Sequence, residues 1–139
     1  MSCIFCQIIQ GKSNAYKIYE DELTIAFLDI NPISNGHTLI VPKLHETKLE
    51  NLPEKHSIAL FKTVRELVGP IQKAMSTSSA NIGINNGREA GQIIPHIHVH
   101  IIPRDESGPI WRGRMKKSSK KSKEYFEEIA LKLREEIGS

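Results

Sequence analysis

Three histidines at alternate positions, His96, His98 and His100, are the densest chemistry in this chain of 139 residues, and half of its six histidines. They sit in Gly91–Arg104, read Gly-Gln-Ile-Ile-Pro-His-Ile-His-Val-His-Ile-Ile-Pro-Arg. An imidazole can bind metal, attack as a nucleophile or carry a proton near neutral pH. The intervening Ile97, Val99 and Ile101 complete the alternation of a two-faced β-strand, with the imidazoles on one face and core on the other. Two uses remain open: a three-histidine metal site, or a row in which each histidine has its own task. The second concentration is Cys3-x-x-Cys6, the only cysteines. Half a zinc site, a redox pair and two small core residues compete there. A thioredoxin-like pair would open a helix after a strand, and nothing upstream can be that strand.

Several elements must position these groups. Apolar residues at 4, 5, 8 and 9 predict a short helix that Gly11 ends. Lys17–Glu20 and Leu23–Leu28 predict a hairpin across a polar turn. Pro32 and Gly36 break the chain before a third strand, His37–Val41. Pro53 opens a long amphipathic helix whose apolar stripe runs from Leu60 to Met75. Ala80–Asn85 is a fourth strand, the histidine segment a fifth, and Glu124–Ile137 a last amphipathic helix. The order predicts an α+β fold: an antiparallel five-stranded sheet with its helices packed on one side.

Composition sets the outer bounds. With 39% hydrophobic and 25% charged residues the chain reads as an ordinary globular domain. No segment has the length of a membrane span, and the N-terminus lacks a basic region and cleavage site, so a cytoplasmic protein is expected. Seven of the 19 basic residues fall between Arg112 and Lys123 with no acidic residue among them. The rest is net acidic, which argues against a nucleic-acid-binding domain. The basic run reads as a solvated linker, with contact to polyanions as the sharper alternative.

His96-Ile-His98-Val-His100-Ile-Ile102 resembles the signature of the histidine triad (HIT) superfamily of nucleotide hydrolases and transferases. Cys3-Ile-Phe-Cys6, Ala26–Pro32, Gly36–Lys43 and Gly91-Gln92 resemble further family blocks in family order. The resemblance covers roughly residues 3 to 104. It implies a HIT domain over 1–110, followed by a basic linker at 111–123 and a C-terminal helix at 124–139. His100, where the transferase branch carries glutamine, places the chain with Hint-like and Fhit-like hydrolases.

The resemblance also implies roles. Cys3, Cys6, His45 and His96 would hold a structural zinc. His98 would attack the α-phosphorus of a purine nucleoside phosphoramidate or dinucleoside polyphosphate, giving a nucleotidyl-histidine that water hydrolyses. His100, His37 and Gln92 would serve the phosphate and leaving group, with Asn85 near them. Asp29 would accept ribose hydroxyls, though an Asp before Ile-Asn-Pro can equally cap a turn. Phe5, Ile8, Phe27, Ile30 and Leu39 would line the purine pocket. The partners implied are a purine nucleotide and a second copy in a homodimer; a nucleotide-binding scaffold with little turnover is the alternative. The chain departs from the Hint-like pattern at Ile93, where a serine is common. Trp111 falls near a tryptophan of Hint-like C-termini.

Overall fold

The computed structural model describes residues 3–108 and 120–138. Trp111 and the basic run through residue 119 lie outside the described residues. β1 (Lys17–Glu20), β2 (Thr24–Leu28), β3 (Thr38–Pro42), β4 (Ser79–Gly83) and β5 (Val99–Arg104) form one sheet in the order β1-β2-β3-β5-β4, antiparallel throughout. The fold is α+β, as the pattern of elements predicts.

Alternation along β2 and β3 sorts side chains onto two covered faces. Ala26, Leu28 and Ile40, with Ile97, Val99 and Ile101, pack against α2 (Glu54–Ala74) and α3 (Lys123–Ile137). α2 contributes Leu60, Val64, Leu67 and Ile71, and α3 contributes Phe126, Ile129, Ala130 and Leu133. Ile25, Phe27, Leu39 and Val41 point the other way and meet Cys3 and Phe5, where α1 (Ile4–Ile9) closes over them. The long helices thus share one face as expected. The short helix does not: its buried Phe5 needs apolar cover, and the far sides of β2 and β3 supply it.

The fifth strand also begins later than the alternation suggests. Pairing with β3 starts at Val99, so His96 and His98 precede the ladder. The cause is local: Pro95 has no N–H to donate, and the Ile97 N–H goes instead to Glu46 O at 2.7 Å. The Asp29–Gly36 loop turns on Gly36, at φ +85°, where an added Cβ would lie 2.5 Å from Met75 Cγ. Only glycine satisfies both constraints at the residue before His37.

Candidate functional site

Four side chains from three stretches meet where α1 covers the sheet. His45 Nδ1 lies 3.1 Å from His96 Nδ1. Cys6 Sγ lies 3.2 and 3.6 Å from those two nitrogens, and Cys3 Sγ 3.7 and 3.5 Å. Bonds of about 2.0–2.1 Å to nitrogen and about 2.3 Å to sulfur place tetrahedral zinc ligands about 3.3–3.8 Å apart; three of the five separations lie in that range, and those at 3.1 and 3.2 Å fall just short of it. The donor set fits that ion. Burial, followed by the neighbouring Cys3 thiol, raises the Cys6 pKa, and burial pushes that of His96 down to about 4. Two thiols and a neutral imidazole this close form a donor set of the kind that zinc takes. His96 Nε2–H donates to Pro42 O at 2.8 Å, which leaves the Nδ1 lone pair facing the cluster.

His45 and His96 are held by a laced pair of loops. Asn86 Oδ1 accepts from the Leu49 N–H at 2.8 Å and Asn86 Nδ2 donates to Glu50 at 2.9 Å. Gln92 donates to Thr47 O and Ile94 O at 2.8 and 3.0 Å, and accepts from the Gly87 N–H at 2.8 Å.

His98 follows at once and is also buried. Its Nδ1–H donates to His96 O at 2.8 Å, so Nε2 carries the lone pair. Burial lowers its pKa, which keeps the ring neutral and nucleophilic. The Phe5 ring stands edge-on to it, centroids 5.1 Å apart.

His100, its ring centroid 5.0 Å from that of His98, has the opposite proton arrangement. Ile33 N–H donates to His37 Nδ1 at 3.1 Å, so the proton of a neutral His37 is on Nε2. That nitrogen is 2.9 Å from His100 Nδ1, which must accept. The proton of His100 is therefore on its own Nε2. Asp29 Oδ2 lies 3.6 Å from His37 Nε2, and Asp29 Oδ1 accepts from the Asn31 N–H at 2.8 Å. A lone-pair nitrogen and an N–H donor thus stand on neighbouring rings. This arrangement suits attack at an electrophile whose charged oxygens and departing atom need a donor.

The family model for the HIT domain matches residues 10–107. The chain belongs to the HIT family. The adenylylsulfatase HINT3 of Arabidopsis thaliana is 46% identical over 109 residues, which cover 78% of this chain and 55% of that protein. This HIT chain thus spans little more than half the length of that relative. The adenosine 5'-monophosphoramidase hnt1 of Schizosaccharomyces pombe is 40% identical over 104 residues, 75% of each chain. A solved Zn-bound histidine triad family protein from Mycobacterium smegmatis superposes with a TM-score of 0.83 at 33% identity, covering 99% of this chain and 94% of that one. Both curated relatives bear the names of nucleotide hydrolases. Cys3 and Cys6 precede the matched span, so the family model covers only the His45 and His96 half of this cluster.

The HIT structure brings most of the expected site residues together. Phe5, Phe27 and Leu39 form one buried cluster, with Ile8 packed at its edge. Ile30 stands apart, 61% exposed. Asn85 is exposed, its amide 3.5 Å from Gly91 O. Gln92 spends both amide protons on backbone carbonyls, so it braces the loops and does not reach out as a donor. Asp29 serves the local turn through one oxygen, leaving the other toward His37. Sequence reasoning misses Pro42 O and Ile33 N–H, because every residue but proline carries the same backbone groups. Asn86 was visible only as a turn residue.

Proposed function

We propose that this HIT protein hydrolyses a purine nucleoside phosphoramidate or dinucleoside polyphosphate at the α-phosphorus, through a nucleotidyl-His98 intermediate. What carries the reading is the pairing of tautomers: His98 offers an Nε2 lone pair and His100 an Nε2–H, on adjacent rings. The adenylylsulfatase and the adenosine 5'-monophosphoramidase differ, by name, in the group attached to the adenylyl phosphorus. That supports a site in which the nucleotide half is constant and the leaving group varies.

In the first step the His98 Nε2 lone pair bonds to phosphorus while the bond to the leaving group breaks, its electron pair departing with that group. An amine takes the Nε2 proton of His100 as it leaves; an oxyanion needs only the hydrogen bond. Water then attacks phosphorus; its proton restores the Nε2–H of His100 where an amine has left, and passes to solvent where an oxyanion has, since His100 then still holds its own. The P–N bond breaks, its pair goes back to His98, and a nucleoside monophosphate is released. Phe5, Phe27, Leu39 and Ile8 would hold the base and Asp29 Oδ2 the ribose.

Cys3, Cys6, His45 and His96 would hold a structural zinc, whose four protein ligands leave no open position, so its contribution is to fix α1 and Phe5 beside His98. The test is mass spectrometry of the protein quenched with adenosine phosphoramidate. A mass increment of one adenylyl group on His98, absent in His98→Ala, is expected. Tight AMP binding with neither adduct nor turnover would replace the hydrolase with a nucleotide-binding scaffold.

A further inference from the structure

α3 lies beyond the matched HIT span of residues 10–107, yet it touches the loop that sets the proton of His37. Tyr125 OH, in the first turn of α3, donates a short hydrogen bond to Asn35 Oδ1. One residue earlier, Ser34 Oγ donates to Pro103 O of β5 at 2.6 Å. One earlier still, Ile33 N–H makes the 3.1 Å bond to His37 Nδ1. The next turn of the loop closes through His37 N–H to Ser34 O at 3.2 Å. Three consecutive residues therefore face α3, the sheet and the catalytic histidine in turn. Behind them Leu28, Pro32 and Gly36 line a small crevice together with Phe126 and Ile129 of α3.

The position of Ile33 N–H is thus fixed from outside the domain proper. A loop held at Ser34 alone can pivot about that point. A second anchor at Asn35 removes the freedom. Tyr125 is held in its turn: Phe126 stacks on Tyr16 of the sheet side at 5.0 Å, and Lys121 Nζ sits 5.2 Å from the Tyr125 ring centroid. Burial raises the Tyr125 pKa, so the phenol keeps the proton it donates.

We propose that Tyr125 is a positioning residue for the reaction, holding Asn35 so that the Ile33 N–H dictates the His37 tautomer and His100 presents Nε2–H. The proposal rests on the hydrolase reading for its kinetic consequence and on the tautomer geometry for its spectroscopic one, and the two are tested separately.

The experiment compares full-length wild type, Tyr125→Phe, Asn35→Ala and Asn35→Asp. Long-range proton–nitrogen NMR reads the His37 and His100 tautomers without any substrate. Turnover of an adenosine phosphoramidate and of adenylylsulfate reads the leaving-group dependence. In Tyr125→Phe and Asn35→Ala, His37 loses its single Nε2–H signature. Their kcat on the phosphoramidate falls about three- to tenfold, the range of one hydrogen bond, with KM and the melting temperature held. The fall on adenylylsulfate is smaller, since its oxyanion leaves without a proton. Asn35→Asp, which keeps an acceptor, restores both. The double variant Tyr125→Phe/Asn35→Ala is no worse than either single one. Unchanged imidazole signals in Tyr125→Phe overturn the proposal, whatever the kinetics. An altered tautomer in a protein that hydrolyses neither compound upholds the positioning and overturns the hydrolase reading.

Discussion

Two clusters among the described residues have the spacing of a metal site, and the proton arrangement separates them. In Cys3–Cys6–His45–His96 and in Asp29–His37–His100 the ligand-type atoms lie within 4.8 Å of one another. In the first, the far nitrogen of His96 meets a carbonyl, Pro42 O, so the near nitrogen has its lone pair free for a cation. In the second, the far nitrogen of His37 meets an N–H, that of Ile33, so the near nitrogen is protonated and donates to His100. In the first a lone pair faces the other ligand-type atoms, and in the second a proton does. Proximity of histidines and carboxylates is therefore a weak guide to metal binding until the second nitrogen of each ring is accounted for.

Breaking the first cluster should cost structure. Cys6→Ser is expected to lower bound zinc from one equivalent per chain to none and to destabilise the fold by more than about 4 kcal/mol, the range reached when a metal site is lost. Atomic spectroscopy and urea denaturation read the two effects. Full zinc content with an unchanged midpoint would mean that the four side chains are not a metal site.

Breaking the second should cost turnover and leave the fold alone. His37→Phe removes the donor that orients His100. Loss of a general-acid arrangement is worth about a hundredfold in kcat, and the phosphoramidate should show it. Zinc content and melting temperature stay at wild-type values. A parallel loss of zinc would show that the clusters are one site.

Gln92 tests how far the clusters share a frame. Its amide ties Thr47, Gly87 and Ile94, and so the loops bearing His45 and His96. Gln92→Ala removes three hydrogen bonds to part-buried backbone groups, at a cost of about 1 kcal/mol, and should weaken zinc retention against a chelator. If catalysis falls at full zinc occupancy, Gln92 acts on phosphate directly.

These differences mark what a sequence can reveal. The sheet and the long helices were legible because burial imposes a period: Ile97, Val99 and Ile101 alternate, and all three are fully buried. The side chains of both clusters were legible as types, and a family pattern named their roles. Their protonation was not, because it is assigned by Pro42 O and Ile33 N–H, groups whose placement depends on the fold. The face chosen by α1 was hidden for a related reason. A six-residue helix with one buried side chain carries too little pattern to say which side of the sheet it covers. Ile30, which the resemblance puts in the purine pocket, sits in the Asp29–Gly36 loop with 61% of its surface exposed, apart from the buried cluster of Phe5, Phe27 and Leu39.

The smallest expected effect is the most discriminating. If a single backbone N–H keeps Asp29–His37–His100 from binding metal, deleting that N–H should turn it into a metal site. Ile33→Pro does so without touching any of the three side chains. His37 Nδ1 is then free to take the proton, its Nε2 lone pair turns toward His100 Nδ1 and Asp29 Oδ2, and three ligands with an open fourth position result. The loss of one partly exposed hydrogen bond costs only about 1 kcal/mol of stability. Zinc titration by calorimetry should find one tight equivalent in wild type and in Ile33→Val, which keeps the N–H. Ile33→Pro should show a second, weaker equivalent that Asp29→Asn removes again. A folded Ile33→Pro protein with a single zinc equivalent would mean that the N–H is not what divides the two clusters.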